Sequence, residues 1–113
     1  MTALPRLQRW APVVLWAAVI FAFSSIPSLG TGLGAWDLVL RKAAHMAEFG
    51  VLGFLLFRAA GNATVAVALG SLYAVTDELH QAFVRGRHGS PVDWLIDTAG
   101  VLAGVALAVR AAR

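Results

Sequence analysis

The sequence of 113 residues has no cysteine and few charged residues. The lack of cysteine excludes disulfide bonds, a thiol nucleophile and any zinc site built from cysteine ligands. Charged residues make up only 13% of the chain and hydrophobic residues 59%, whereas soluble domains contain about 25% charged residues. So small a chain cannot enclose a core that buries this much apolar surface. The composition therefore predicts a single domain, residues 1–113, that lies in a membrane.

Nine basic residues give the chain a net charge of +3. They are scattered between apolar runs of membrane length and form no basic face of the kind that binds nucleic acid. The sequence has no internal repeat and no low-complexity linker. We therefore expect membrane lipid around this protein and no nucleic-acid partner.

Four apolar segments predict an all-α integral membrane bundle of four transmembrane helices. Their expected bounds are residues 10–26, 37–58, 62–84 and 91–109. A cleaved signal peptide is the alternative for the first segment, although its apolar run is long for one. Asp37 is expected as the N-cap of the second helix and Pro91 as the first residue of the fourth. Gly100 and Gly104, spaced by four, predict close contact of the fourth helix with a neighbour.

The distribution of charge along the chain predicts an orientation, because basic residues near helix ends prefer the cytoplasm. With the N terminus inside, five bases and no acid lie on the cytoplasmic side: Arg6, Arg9, Arg58, Arg110 and Arg113. The other side then holds all acids and histidines: Asp37, His45, Glu48, Asp77, Glu78, His80, His88, Asp93 and Asp97. We therefore expect both termini in the cytoplasm and the polar chemistry on the extracytoplasmic side of the cell membrane.

Ionisable residues of three predicted helices fall at overlapping depths. Lys42, His45 and Glu48 on the second helix are spaced by three and therefore share one face. The other members belong to the third and fourth helices: Asp77, His80, Gln81, Asp93 and Asp97. A charge that faces lipid costs at least ~2.5 kcal/mol, so these groups are expected to face inward and meet. The sequence predicts a polar pocket that opens outward.

Two stretches contain several polar motifs in order: KAAHMAEFGVLG at residues 42–53 and DELHQAFVRGRHGSPVDWLIDTAG at residues 77–100. Their blocks Lys-x-x-His-x-x-Glu and Asp-Glu-x-His-Gln, the turn at Gly86 and Arg87 and the spaced aspartates resemble the VanZ-like family of small bacterial membrane proteins. The family archetype is associated with reduced susceptibility to the glycopeptide teicoplanin. The resemblance implies an integral protein of the bacterial cell envelope, and it supplies no mechanism.

Four basic residues are expected near the outer surface: Arg41, Lys42, Arg85 and Arg87. They favour a pocket for an anionic ligand, because arginine forks match phosphate or carboxylate groups. A lipid-linked pyrophosphate or a peptidoglycan-precursor carboxylate presents such a group at this depth. The residues assigned to ligand binding are Lys42, Glu78, Gln81, Arg87, Asp93 and Asp97. The alternative is that the arginines only anchor the chain at the membrane interface.

Histidines next to carboxylates favour catalysis in the same predicted pocket. The candidate catalytic residues are His45, Glu48, Asp77 and His80, in a hydrolase or transferase where a histidine acts as general base or acid. The same four residues are the candidate ligands of a divalent metal ion, because spacings of three occur in carboxylate-bridged metal sites of helix bundles. Asp93 and Asp97 can complete the shell of such a site.

A third alternative is a structural network that holds the bundle together, in a homo-oligomer or a partner of envelope enzymes. Ser24 and Ser25 lie at the outer end of the first helix and are expected to be helix-end residues rather than site residues. Glu78 is turned about 100° from Asp77, so we expect it to reach a different neighbour.

Overall fold

A computed structural model describes residues 5–25, 35–83 and 91–112, with the backbone alone for residues 35–38. Within these residues the chain forms four helices and no strand. They are α1 (Arg6–Ser24), α2 (Ala35–Ala60), α3 (Ala63–Gln81) and α4 (Pro91–Ala111). The all-helical class that the sequence predicts is confirmed.

The connection between α2 and α3 follows from two residues. Gly61 has φ +70°, a left-handed conformation that glycine adopts without a side-chain clash. Its amide donates to the carbonyl of Phe57 at 2.8 Å and closes the last turn of α2. Asn62 then caps α3, because its side chain accepts a hydrogen bond from the amide of Val65 at 3.0 Å. This short connection makes the two helices antiparallel neighbours.

The observed helix ends differ from the predicted ones. α1 begins at Arg6 instead of residue 10, and α2 begins at Ala35, so Asp37 lies inside the helix and is not its N-cap. α3 ends at Gln81, whereas its predicted end, residue 84, lies outside the described residues, as does the predicted end of α1 at residue 26. Apolar runs mark the part of a helix in contact with lipid, and the backbone hydrogen bonds continue past it. Pro91 begins α4 as predicted.

The helices alternate in direction. Near the start of α1, the Arg9 guanidinium donates to the carbonyl of Ala59 at the end of α2. Tyr73 of α3 donates to the carbonyl of Ala17 in α1 at 2.5 Å. α4 runs parallel to α2, so the start of α1 and the end of α4 lie at the same end of the bundle. We call this the basic end and the other the polar end.

Glycines bring α2 and α4 into backbone contact. A Cβ atom on Gly104 would meet the carbonyl oxygen of Gly50, and one on Gly100 would meet that of Met46. On the α2 side, a Cβ atom on Gly53 would meet the carbonyl of Val101. The small residues that the sequence marks for close packing are therefore the residues at which the two backbones approach.

The surface of the bundle is apolar. Large hydrophobic side chains on all four helices are exposed, among them Leu15, Val51, Leu72 and Leu107. By length and composition, α1, the Val39–Ala60 part of α2, and α4 can each cross a membrane; α3 is not among the spans found in the described residues. A soluble monomer rarely exposes so large an apolar surface, whereas a bilayer covers it.

Candidate functional site

The parallel course of α2 and α4 brings polar side chains together at the polar end. Lys42 and His45 are three residues apart on α2, and Asp93 and Asp97 are four apart on α4, so each pair occupies one face of its helix. Lys42 forms an ion pair with Asp93. One turn deeper, Nδ1 of His45 lies 2.9 Å from Oδ1 of Asp97. Lys42 and His45 of α2 therefore face Asp93 and Asp97 of α4 in register.

α3 adds Asp77 and Gln81, which are one turn apart. Nε2 of Gln81 donates to Oδ2 of Asp77 at 3.0 Å and lies 2.9 Å from Nε2 of His45. Oδ2 of Asp77 is itself 3.8 Å from Nε2 of His45. A neutral His45 with its proton on Nδ1 satisfies both neighbours, because Nδ1 then donates to Asp97 and Nε2 accepts from the amide of Gln81.

α1 completes the site with Ser24. Its hydroxyl oxygen lies 3.5 Å from Nε2 of Gln81 and within hydrogen-bonding reach of the Asp77 carboxylate. The sequence favours Ser24 as a helix-end residue, and in the structure it is both the last residue of α1 and a buried member of the site. A hydroxyl residue at the end of α1 that lies at the polar end of the bundle is the signal in the sequence that points to it. We call Ser24, His45, Asp77, Gln81 and Asp97 the polar cluster.

The polar cluster is buried among apolar residues. The side chains of Asp77 and Asp97 are 1% and 0% exposed, and that of His45 is 16% exposed. An aspartate in the centre of a membrane helix costs about 2.5 to 3.5 kcal/mol on insertion scales, so two in one buried cluster are expensive unless other groups stabilise them. Phe49, which is fully buried, stacks on the ring of His45, and His45 is more exposed than the two aspartates.

His80 does not join the polar cluster. Its ring stacks on Phe21 of α1 with 4.2 Å between ring centres and 9° between planes, and its Nε2 lies 3.3 Å from the Ser25 hydroxyl. At about 100° per residue, His80 is turned by about 60° from Asp77 in one direction and Gln81 by about 40° in the other, so spacing alone leaves both on the same side of α3. The packing of α1 against α3 decides which of the two points to the centre.

The remaining candidate residues lie around the cluster or outside the residues that the structure describes. Glu48 is partly buried on α2, where its carbonyl oxygen accepts from the indole of Trp16 at 2.8 Å. Glu78 is buried on α3. Arg87 lies in the segment 84–90, outside the described residues.

The structure regroups the candidate metal ligands. The sequence assigns them to His45, Glu48, Asp77 and His80. Within the described part of the chain, the group whose ligand atoms lie together consists of His45, Asp77 and Asp97, all within 4.8 Å of one another. Asp97, which the sequence assigns only to the completion of the shell, thus belongs to the group, whereas Glu48 and His80 do not.

Comparison with known proteins agrees with the motifs. The family model described as VanZ/LLP1 matches residues 6–112, which is nearly the whole chain. No curated protein and no solved structure gives a significant match. The motif residues from Lys42 to Asp97 and the apolar helices fall within the matched range. The chain therefore belongs to the VanZ/LLP1 family and is a helical membrane protein.

Proposed function

We propose that all four helices cross the cell membrane, with both termini in the cytoplasm and the polar cluster on the extracytoplasmic side. The alternation of the helices supports this topology, because it gathers the ends carrying Arg6, Arg9, Arg58 and Arg110 at the basic end. α3 is included because its acids Asp77 and Glu78 are buried inside the bundle, so its lipid-facing surface is more apolar than its sequence as a whole.

Single cysteines test the topology, because the natural chain contains none. In intact cells, a membrane-impermeant maleimide is expected to label Ala82→Cys, at the exposed end of α3, and to leave Ala112→Cys unlabelled. Permeabilised cells should show labelling of both variants. Labelling of Ala112→Cys alone in intact cells would place the polar cluster on the cytoplasmic side.

We further propose that the polar end binds the anionic headgroup of a lipid-linked ligand, such as a cell-wall precursor with a phosphate or carboxylate group. The observation that supports this most is Lys42, which is 34% exposed and paired with Asp93 above the buried cluster. An anion that enters from the outer leaflet can replace the Asp93 carboxylate at the Lys42 ammonium. Arg87, which precedes α4 in the sequence, is the second base assigned to this ligand.

Lipid analysis of purified protein tests the ligand. The wild type is expected to retain a phosphate- or carboxylate-containing lipid that Lys42→Ala and Arg87→Ala lose, by about tenfold for a charge-assisted contact of about 1.4 kcal/mol. Arg58→Ala is the matched control, because it removes an exposed base from the opposite end of the bundle. Identical lipid profiles for wild type and Lys42→Ala would contradict anion binding at this end.

A role in teicoplanin susceptibility belongs to the same proposal. Expression of the wild type in a susceptible bacterium is expected to raise teicoplanin tolerance, and Lys42→Ala is expected to remove the increase. Equal teicoplanin tolerance of cells with and without the protein would show that this member does not share the role of the family archetype.

The second candidate function is a hydrolase or transferase that acts on the same ligand. It is favoured by the contact of His45 with Asp97, since a carboxylate that orients Nδ1 leaves Nε2 as a proton acceptor. This function predicts turnover of a lipid-linked pyrophosphate by wild type and none by His45→Ala. If the ligand remains chemically unchanged after incubation with wild type, the enzyme function is contradicted and binding alone is the function.

A further inference from the structure

We propose that His45, Asp77 and Asp97 bind a divalent transition-metal ion, of which Zn²⁺ is the best match, inside the membrane domain. This site goes beyond the anionic ligand and does not depend on it. The three residues come from α2, α3 and α4, and their ligand atoms lie within 4.8 Å of one another.

The amide nitrogen of Gln81 occupies a point on which three acceptors converge. It lies 2.9 Å from Nε2 of His45, 3.0 Å from Oδ2 of Asp77 and 3.5 Å from the hydroxyl of Ser24. Each of these three atoms has a lone pair that can bind a cation. An ion among them would displace the Gln81 amide nitrogen, and rotation of the Gln81 side chain would then present its amide oxygen to the ion.

Asp97 supplies an independent observation. It is fully buried, and its Oδ1 faces Nδ1 of His45. Its other oxygen, Oδ2, is also buried and has no hydrogen-bond partner among the residues that the structure describes. Buried carboxylate oxygens are nearly always paired, so this atom is available to a ligand inside the bundle.

The charge of the polar cluster calls for a cation. With His45 neutral, Asp77 and Asp97 contribute two negative charges in a region closed by apolar side chains. Lys42 is paired with Asp93 at the rim and does not reach them. A divalent ion balances the two carboxylates without a further partner, as buried charges in membrane proteins require.

The ligand types select the class of ion. An imidazole nitrogen with carboxylate oxygens suits Zn²⁺ and similar transition metals better than Mg²⁺ or Ca²⁺, which prefer oxygen alone. Two ligands of a tetrahedral Zn²⁺ ion, at about 2.1 Å each, are roughly 3.4 Å apart. Nε2 of His45 and Oδ2 of Asp77, at 3.8 Å, need to approach by only a few tenths of an ångström.

Metal analysis of the full chain in detergent tests this site with Zn²⁺ alone as the probe. After removal of metal with a chelator and dialysis against Zn²⁺, the wild type is expected to hold one ion per chain. Asp97→Asn and Asp77→Asn should weaken binding at least about tenfold. His80→Ala is the matched control on α3, because the His80 ring stacks on Phe21 outside the cluster, and it should bind Zn²⁺ as the wild type does.

A second measurement keeps the test independent of the folding of any variant. Co²⁺ bound to wild type should give the intense visible absorption of a tetrahedral site with nitrogen and oxygen ligands, and added Zn²⁺ should remove it. Wild type that binds neither ion overturns the proposal, as does Zn²⁺ binding that His80→Ala abolishes and Asp97→Asn leaves intact. Because no anionic lipid enters these assays, the outcome is separate from that of the lipid profiles.

Discussion

Replacement of Gly104 with leucine is expected to destabilise the bundle by at least about 2 kcal/mol. The first atom of any side chain at this position meets the carbonyl oxygen of Gly50, and a backbone carbonyl cannot turn aside as a flexible side chain can. α2 and α4 would have to separate, with loss of the backbone contacts at Gly100 and Gly53. In lipid such close packing is a main source of helix association, because burial of apolar surface adds little.

The matched control is Ala103→Leu, which adds a similar side chain one residue earlier on the exposed side of α4. The unfolding free energy of this variant is expected to lie within about 0.5 kcal/mol of that of the wild type. Both unfolding free energies are measurable by reversible unfolding in mixed micelles. Equal stability of Gly104→Leu and Ala103→Leu would show that the two helices do not meet at their glycines.

Loss of the Asp97 side chain is expected to have the second large effect. Asp97→Ala should cost about 1 to 3 kcal/mol, the range for a buried donor that is left without its acceptor. It leaves Nδ1 of His45 without its acceptor and opens a cavity in a fully buried position. Asp97→Asn should cost less, because the amide oxygen still accepts from Nδ1.

Asp93 is the matched control for Asp97, because it lies one turn earlier on the same face of α4 and its side chain is 23% exposed. Water stabilises the Lys42 ammonium when its partner is removed, so Asp93→Asn should cost at most about 1 kcal/mol. Thermal unfolding in detergent, together with helix content by circular dichroism, compares the variants. A cost for Asp93→Asn equal to that for Asp97→Ala would contradict the difference in burial.

Much of the fold follows from the sequence. Apolar runs locate all four helices, and Pro91 and Gly61 mark the start of α4 and the end of α2, because their backbone requirements are local. The other helix ends are less predictable. Arg6 continues the helix although it is charged, since hydropathy records contact with lipid rather than hydrogen bonding of the backbone.

The candidate site is predictable in its content and less so in its geometry. Spacing alone places Asp77 and His80 on one side of α3, yet only Asp77 reaches His45, while His80 stacks on Phe21. The rotation of α3 is set by its packing against α1 and α4, and no local pattern records that rotation. The contact of His45 with Asp97 joins residues 52 positions apart, so it depends on how α2 and α4 pack in register.

The contact between His45 and Asp97 joins α2 to α4 inside the polar cluster, and a double-mutant cycle measures it directly. Unfolding free energies of His45→Ala, Asp97→Ala and the double variant should show a coupling of about 2 kcal/mol. The same cycle with His80 and Asp97, which do not touch, should be additive within about 0.5 kcal/mol. A polar cluster centred on His45 predicts coupling in the first cycle alone. Additive effects of His45→Ala and Asp97→Ala, or coupling of Asp97 with His80 instead, would contradict it.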